Sequence, residues 1–159
     1  MAKKHTIVNL DKVKATGSLE SVYFAEETLE NGMLDIGVVA QLGKLAEDGE
    51  SREGVAPKDL KSELVLLAPV VMDYNDNLLE EDFYMVADKK YRGYVLSEGD
   101  IITITDEAFD AKPAVNDVLV PKVGSFGYEK GDKESSLKFK VISDVEYLAG
   151  YPATVLRVL

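Results

Sequence analysis

Glycine and proline recur so often along this chain that no stretch between them reads as a long amphipathic helix. What remains between the breaks are short runs rich in β-branched and aromatic residues. Runs of that kind bury their apolar side chains only by pairing edge to edge in sheets, which predicts a mainly β fold. Glu63 to Val71 (Glu-Leu-Val-Leu-Leu-Ala-Pro-Val-Val) is the most apolar of them and predicts a buried strand, since Pro69 opposes a helix. Ile101-Ile102-Thr103-Ile104-Thr105 follows Tyr91 to Leu96 across Ser97-Glu98-Gly99-Asp100, and this reads as strand, turn, strand.

Further strands are expected at 6–10, 19–25, 33–40, 118–123 and 137–142, with a last one running from Tyr151 to Leu159. Asn31-Gly32 predicts a hairpin turn joining 19–25 to 33–40. Residues 43–54 hold four acids, two basic residues and three glycines, and read as a loop. Single helical turns are expected at 78–84 and 105–109. Many short strands at this spacing predict a compact β-barrel or β-sandwich with an extended N-terminal arm and at most short helical turns. A length of 159 residues suits one domain, here 15–159 behind an arm at 1–14, with 15–60 a candidate small N-terminal subdomain.

Charge narrows the partners. The arm carries Lys3, Lys4, Lys12 and Lys14 against Asp11, a net +3, so the chain's −11 leaves −14 on residues 15–159. A body that acidic repels phosphate backbones and anionic headgroups, which argues against nucleic acid and membrane partners. No apolar run approaches a membrane span, and the basic start leads into no signal-peptide core. The arm has three open fates: lying on a neighbour's acidic surface, folding back on its own body, or fraying in solvent.

Candidate chemistry is sparse. The chain has no cysteine and one histidine, His5, which leaves zinc ligation and Ser–His–Asp or Cys–His catalysis without their usual residues. Asp73-Tyr74-Asn75-Asp76-Asn77 opens like a calcium loop, but Leu78 stands where glycine is required and Tyr84 where the bidentate glutamate belongs. The acid pairs Glu26-Glu27, Glu80-Glu81-Asp82 and Asp106-Glu107 read as solvated faces in a chain with 29 acids. No Walker-type or dinucleotide fingerprint occurs. The expectation is a non-enzymatic protein without cofactor or metal. Eight tyrosines and no tryptophan point instead to protein contacts, with Tyr91, Arg92 and Tyr94 the candidate partner-binding segment beside the arm lysines. Ordinary sheet packing is the competing explanation for the tyrosines.

Several elements in order carry a family likeness. These are Asn9-Leu10-Asp11-Lys12-Val13 behind a lysine-rich start, Glu30-Asn31-Gly32, and a charged loop ending Val55-Ala56-Pro57. An apolar strand and Tyr91-Arg92-Gly93-Tyr94-Val95-Leu96 with Glu98-Gly99-Asp100-Ile101 complete it. The chain resembles the capsid decoration (head cement) proteins encoded beside the major capsid protein in tailed phages and prophages of Gram-positive bacteria. The Arg-Gly-Tyr-x-Leu and Glu-Gly-Asp elements are its most specific part.

The resemblance implies a copy-rich structural protein on the capsid exterior, made in the host cytoplasm. Its partner would be the major capsid protein, with copies of itself as a further contact; a trimer or a monomer on the lattice suits this equally. Other readings are a head-fibre base or tail-associated β-domain, a small acid-dependent hydrolase, and a host β-barrel binding module.

Overall fold

The computed structural model describes residues 5–13, 19–69, 82–87 and 89–159. Among these residues, eleven strands carry the fold. They are β1 (Val8–Lys12), β2 (Leu19–Tyr23), β3 (Val39–Leu45), β4 (Arg52–Val55), β5 (Leu64–Leu67), β6 (Lys90–Tyr94), β7 (Ile101–Thr105), β8 (Val118–Pro121), β9 (Tyr128–Lys130), β10 (Phe139–Leu148) and β11 (Tyr151–Val158). Helical structure among the described residues is limited to 3-10 conformation, at Glu26–Thr28, Glu30–Gly32, Asp82 and Asp106–Ala108. The chain is therefore mainly β, as its punctuation predicts.

The strands divide into two lobes. β2, β4, β3, β5 and β6 close into a five-stranded barrel, and the second sheet runs β1-β7-β11-β10-β8-β9. The barrel uses strands up to Tyr94, so its closure depends on β5 and β6, beyond residue 60. The basic arm folds back on its own body where it is described: β1 pairs antiparallel with β7 and forms one edge of the sheet.

β5 joins the lobes. Its Val65 and Leu67 pack in the barrel interior with Val22, Phe24 and Met85, while Leu64 and Leu66 pack with Ile102, Ile104, Phe139 and Leu156 of the sheet. Alternate side chains of a strand point to opposite faces, so a strand buried on both sides needs an unbroken apolar run. That is why Leu64–Leu67 carries no polar residue. Tyr128 of β9 adds a polar tie, its hydroxyl donating to the Gly37 carbonyl at 2.7 Å in the loop before β3. Complete burial holds that hydroxyl's pKa well above the ordinary tyrosine value.

Two expectations change. Asn31-Gly32 does turn the chain, with φ of 55° and 72°, but the flanking segments do not form a hairpin. β2 pairs with β4 in parallel and with β6 antiparallel, and β4 separates it from β3. Residues 43–54 are not simply a loop: they contain the end of β3 and all of β4, paired antiparallel. Their polar composition hid a strand whose inward position is Gly54, where a Cβ would lie 2.5 Å from Phe24 Cε1 and 2.8 Å from Val22 Cγ1. A five-stranded barrel has so little room inside that an inward position is filled by a neighbour's side chain instead. The strand, turn, strand expected over 91–105 is present as β6, a tight turn and β7, and the two strands lie in different lobes. The turn is closed by Ser97 N–H donating to Asp100 Oδ2 and by Asp100 N–H donating to the Ser97 carbonyl.

Candidate protein-binding surface

The expected partner-binding residues occupy different environments. Lys3, Lys4 and Lys14 lie outside the described residues, as does the calcium-like stretch 73–78. Lys12 is exposed at the end of β1. On β6 the two tyrosines turn inward. Tyr94 is 7% exposed and belongs to the core between barrel and sheet. Tyr91 packs toward the barrel interior, its ring edge-on to Phe83 and its hydroxyl accepting the Val86 N–H at 2.9 Å. Desolvation raises the pKa of that hydroxyl. Arg92 alone of the three is exposed. Sheet packing accounts for Tyr94 and largely for Tyr91, because β6 is covered on one face by the barrel contents and on the other, at Tyr94, by the second sheet.

The acid pairs within the described residues read as structural. Asp106 accepts from the Thr154 hydroxyl at 2.9 Å and pairs with Lys112 at 3.1 Å, while Glu26 and Glu27 are exposed in a 3-10 turn. A cleft of about 570 Å³ lies beside the loop before β3. There His5 Nδ1 meets Asp35 Oδ1, and the His5 ring lies 5.1 Å from that of Tyr84. A His–Asp pair is the base and orienting part of a triad and supplies no nucleophile. Here it fastens the N-terminal segment to the barrel lobe. Among the described residues, no group of three or more His, Asp or Glu is placed to hold a metal ion, and no helix is long and apolar enough to cross a membrane.

The surface with the clearest unmet packing is the far half of β10 and the start of β11. β8 pairs with β10 at Phe139 and Lys140, and β7 pairs with β11 from Ala153 onward. Past Ala153, which pairs with Glu146 on one side and Thr105 on the other, the two strands continue as a two-stranded ribbon, pairing Tyr147 with Pro152 and Leu148 with Tyr151. The connection is Ala149-Gly150, with φ of 49° and 84°, the two positive values that a type I′ turn requires. Two register shifts, between Val141 and Ser143 and between Ser143 and Glu146, mark bulges where the ribbon leaves the sheet. Bulges bend and twist a strand, which turns the ribbon out of the sheet plane.

No residue from 142 to 152 is buried. Val145 is 75% exposed and Tyr147 67%. By strand alternation Pro152, and Tyr147 opposite it, share the face of Thr154, Leu156 and Val158, all buried. The apolar face of the sheet thus runs on past the last element that covers it. The strands expected at 137–142 and 151–159 leave out its 143–148 half, which is strand in β10. Its signal was present: Val145-Glu146-Tyr147 alternates, and Ala149-Gly150 separates it from Tyr151-Pro152. No family model, curated protein or solved structure matches this chain.

Proposed function

We propose that this chain is a non-enzymatic structural protein that decorates and stabilises a bacteriophage capsid by binding the outer surface of major capsid protein subunits. The observation that carries the reading is the β10–β11 ribbon, which places Val145 and Tyr147 in solvent on a hairpin where no residue from 142 to 152 is buried. A two-stranded ribbon with an apolar face is marginal in water and gains most from a partner surface. The order of elements that resembles head cement proteins, from Asn9-Leu10-Asp11 to Glu98-Gly99-Asp100, directs that partner to the capsid. The acidic body suits a role in which packaged nucleic acid is not contacted.

Purified protein mixed with capsid shells that lack it, then sedimented, tests the reading. Saturable recovery in the pellet at a stoichiometry matching the capsid lattice is the expected result. Recovery of only a few copies per particle favours a fibre base or tail-associated domain. No recovery at micromolar protein overturns the capsid reading.

A further inference from the structure

We infer that the outer face of the second sheet is a self-association surface. Two copies of this chain pair there about a two-fold axis, each setting the cationic end of its face on the acidic end of the other. This contact is independent of the capsid reading, which concerns a different partner.

The second sheet has two unlike faces. Ile102, Ile104, Phe139 and Leu156 point toward the barrel and are buried with Leu64 and Leu66 of β5. By strand alternation Ala153, Val155 and Arg157 of β11 take the other face. The register adds Glu146 opposite Ala153, Ser143 opposite Val155 and Lys140 opposite Arg157.

One end of that outer face is cationic. Lys140 and Arg157 stand directly across from each other, and like charges so placed weaken a strand pair. Nearby lysines meet acids instead: Lys130 pairs with Asp117 and Lys138 with Asp132, both at 2.7 Å. Among the described residues, no carboxylate lies within 4.0 Å of Lys140 or Arg157. Glu98 lines the same cleft, of about 420 Å³, from beyond that distance. Lys12 continues the row across Ile101, and Asp11 beside it accepts from the Asn9 amide and the Thr103 hydroxyl.

The other end is acidic. Glu146 is exposed, and Asp144 precedes it by two residues. Between Lys140 and Arg157 the chain carries these two acids and no lysine, arginine or histidine. Glu146 Oε1 lies 3.4 Å from the Ser143 hydroxyl, and neither acid has a cation within 4.0 Å among the described residues.

The two sets do not meet within one copy. Arg157 and Ala153, across from Lys140 and Glu146, are four residues apart, about 13 Å along an extended strand. A two-fold axis through the face near Val155 and Ser143 lays the cations of each copy over the carboxylates of the other, twice at once. That reciprocity defines a self-complementary interface, and a second copy carries the matching pattern by construction. Sheets packed face to face lie about 10 Å apart, a gap that lysine, arginine and glutamate side chains cross.

Sedimentation velocity over a range of concentrations reads the association. It compares wild type with Lys140→Glu/Arg157→Glu, acidic at both ends of the face, and Asp144→Lys/Glu146→Lys, basic at both ends. Val145→Ser/Tyr147→Ser alters the opposite face. Thermal unfolding checks each fold, and Arg157→Gln and Glu146→Gln replace any double variant that fails to fold. The expected result is a dimer for wild type and for Val145→Ser/Tyr147→Ser. Each charge variant dissociates at least about tenfold more readily, and mixing the two double charge variants one to one restores the dimer. A wild type that stays monomeric at every concentration overturns the inference, as do charge variants that dimerise as tightly as wild type. A mixture of folded charge variants that stays monomeric overturns the charge pairing. A dimer lost only in Val145→Ser/Tyr147→Ser moves the contact to the opposite face and overturns it as well. None of these outcomes bears on capsid binding, which the pelleting experiment decides separately.

Discussion

The barrel interior and the ribbon tip are made of the same material, strand residues alternating between two faces, and they differ in what surrounds them. Inside the barrel, Phe24 and Val22 are fully buried and crowd Gly54 so closely that a single added methyl group has no place. On the ribbon, Tyr147 leaves 67% of its surface in solvent. One region spends its apolar residues on its own fold. The other holds Val145 and Tyr147 in solvent. The two hairpin turns differ in the same way. The β3–β4 turn closes on itself: Asp48 accepts from the N–H groups of Ser51 at 2.8 Å and Glu50 at 2.9 Å, and it pairs with Lys90 of β6. The β10–β11 turn instead tolerates Ala149 at a φ of 49°, a strained position for any residue with a Cβ.

The comparison can be broken in order of expected size. Phe24→Ala empties the centre of the barrel and lowers unfolding free energy by about 3–5 kcal/mol, measured by denaturant titration. A loss under about 1 kcal/mol would mean that the barrel interior is not the tightly packed region described. Gly54→Ala overpacks the same interior and costs about 1–3 kcal/mol, against Gly127→Ala as a reference, where an added Cβ meets only the Ser125 hydroxyl at 3.7 Å. Ala149→Asn relieves the turn, because asparagine tolerates the left-handed region, and adds less than about 1 kcal/mol. A destabilised Asn variant would show that the ribbon turn is set by contacts other than its own backbone.

The smallest effect is electrostatic. The hydrogen bond from Lys90, followed by the backbone N–H groups of Ser51 and Glu50, holds the Asp48 carboxyl well below the ordinary carboxylate range. A group whose folded pKa is depressed adds stability above its unfolded pKa of about 3.9 and loses it as pH falls below that value toward the folded one. Asp48→Asn should therefore lower the thermal midpoint at pH 7, with the gap to wild type narrowing below about pH 4. An equal gap at both pH values would show that Asp48 acts through shape alone.

Strand existence was legible in the chain because it is a local property. Ile101–Thr105 and the Leu64–Leu67 run declare themselves by β-branching and by apolar continuity. Strand β4 was not legible: Arg-Glu-Gly-Val has two charges and a glycine, and its strand character comes from β2 and β3 on either side. The candidate surface was half legible. Tyr91 and Tyr94 carry the residue type that interfaces favour, and packing takes up both, Tyr91 in the barrel and Tyr94 between barrel and sheet. Val145 and Tyr147 carry the same types with nothing over them, and only their surroundings distinguish the two cases.

By itself the sequence determined the class of this protein. Frequent chain breaks and short β-branched runs are enough for a mainly β fold, because propensity belongs to residues one at a time. Tertiary structure decided which strands are neighbours, that five of them close into a barrel, and that the basic arm becomes an edge strand on β7. It also decided which aromatic residues stay in water. Those outcomes depend on which distant segments cover one another, and burial is a property of pairs of segments that no single run of residues contains.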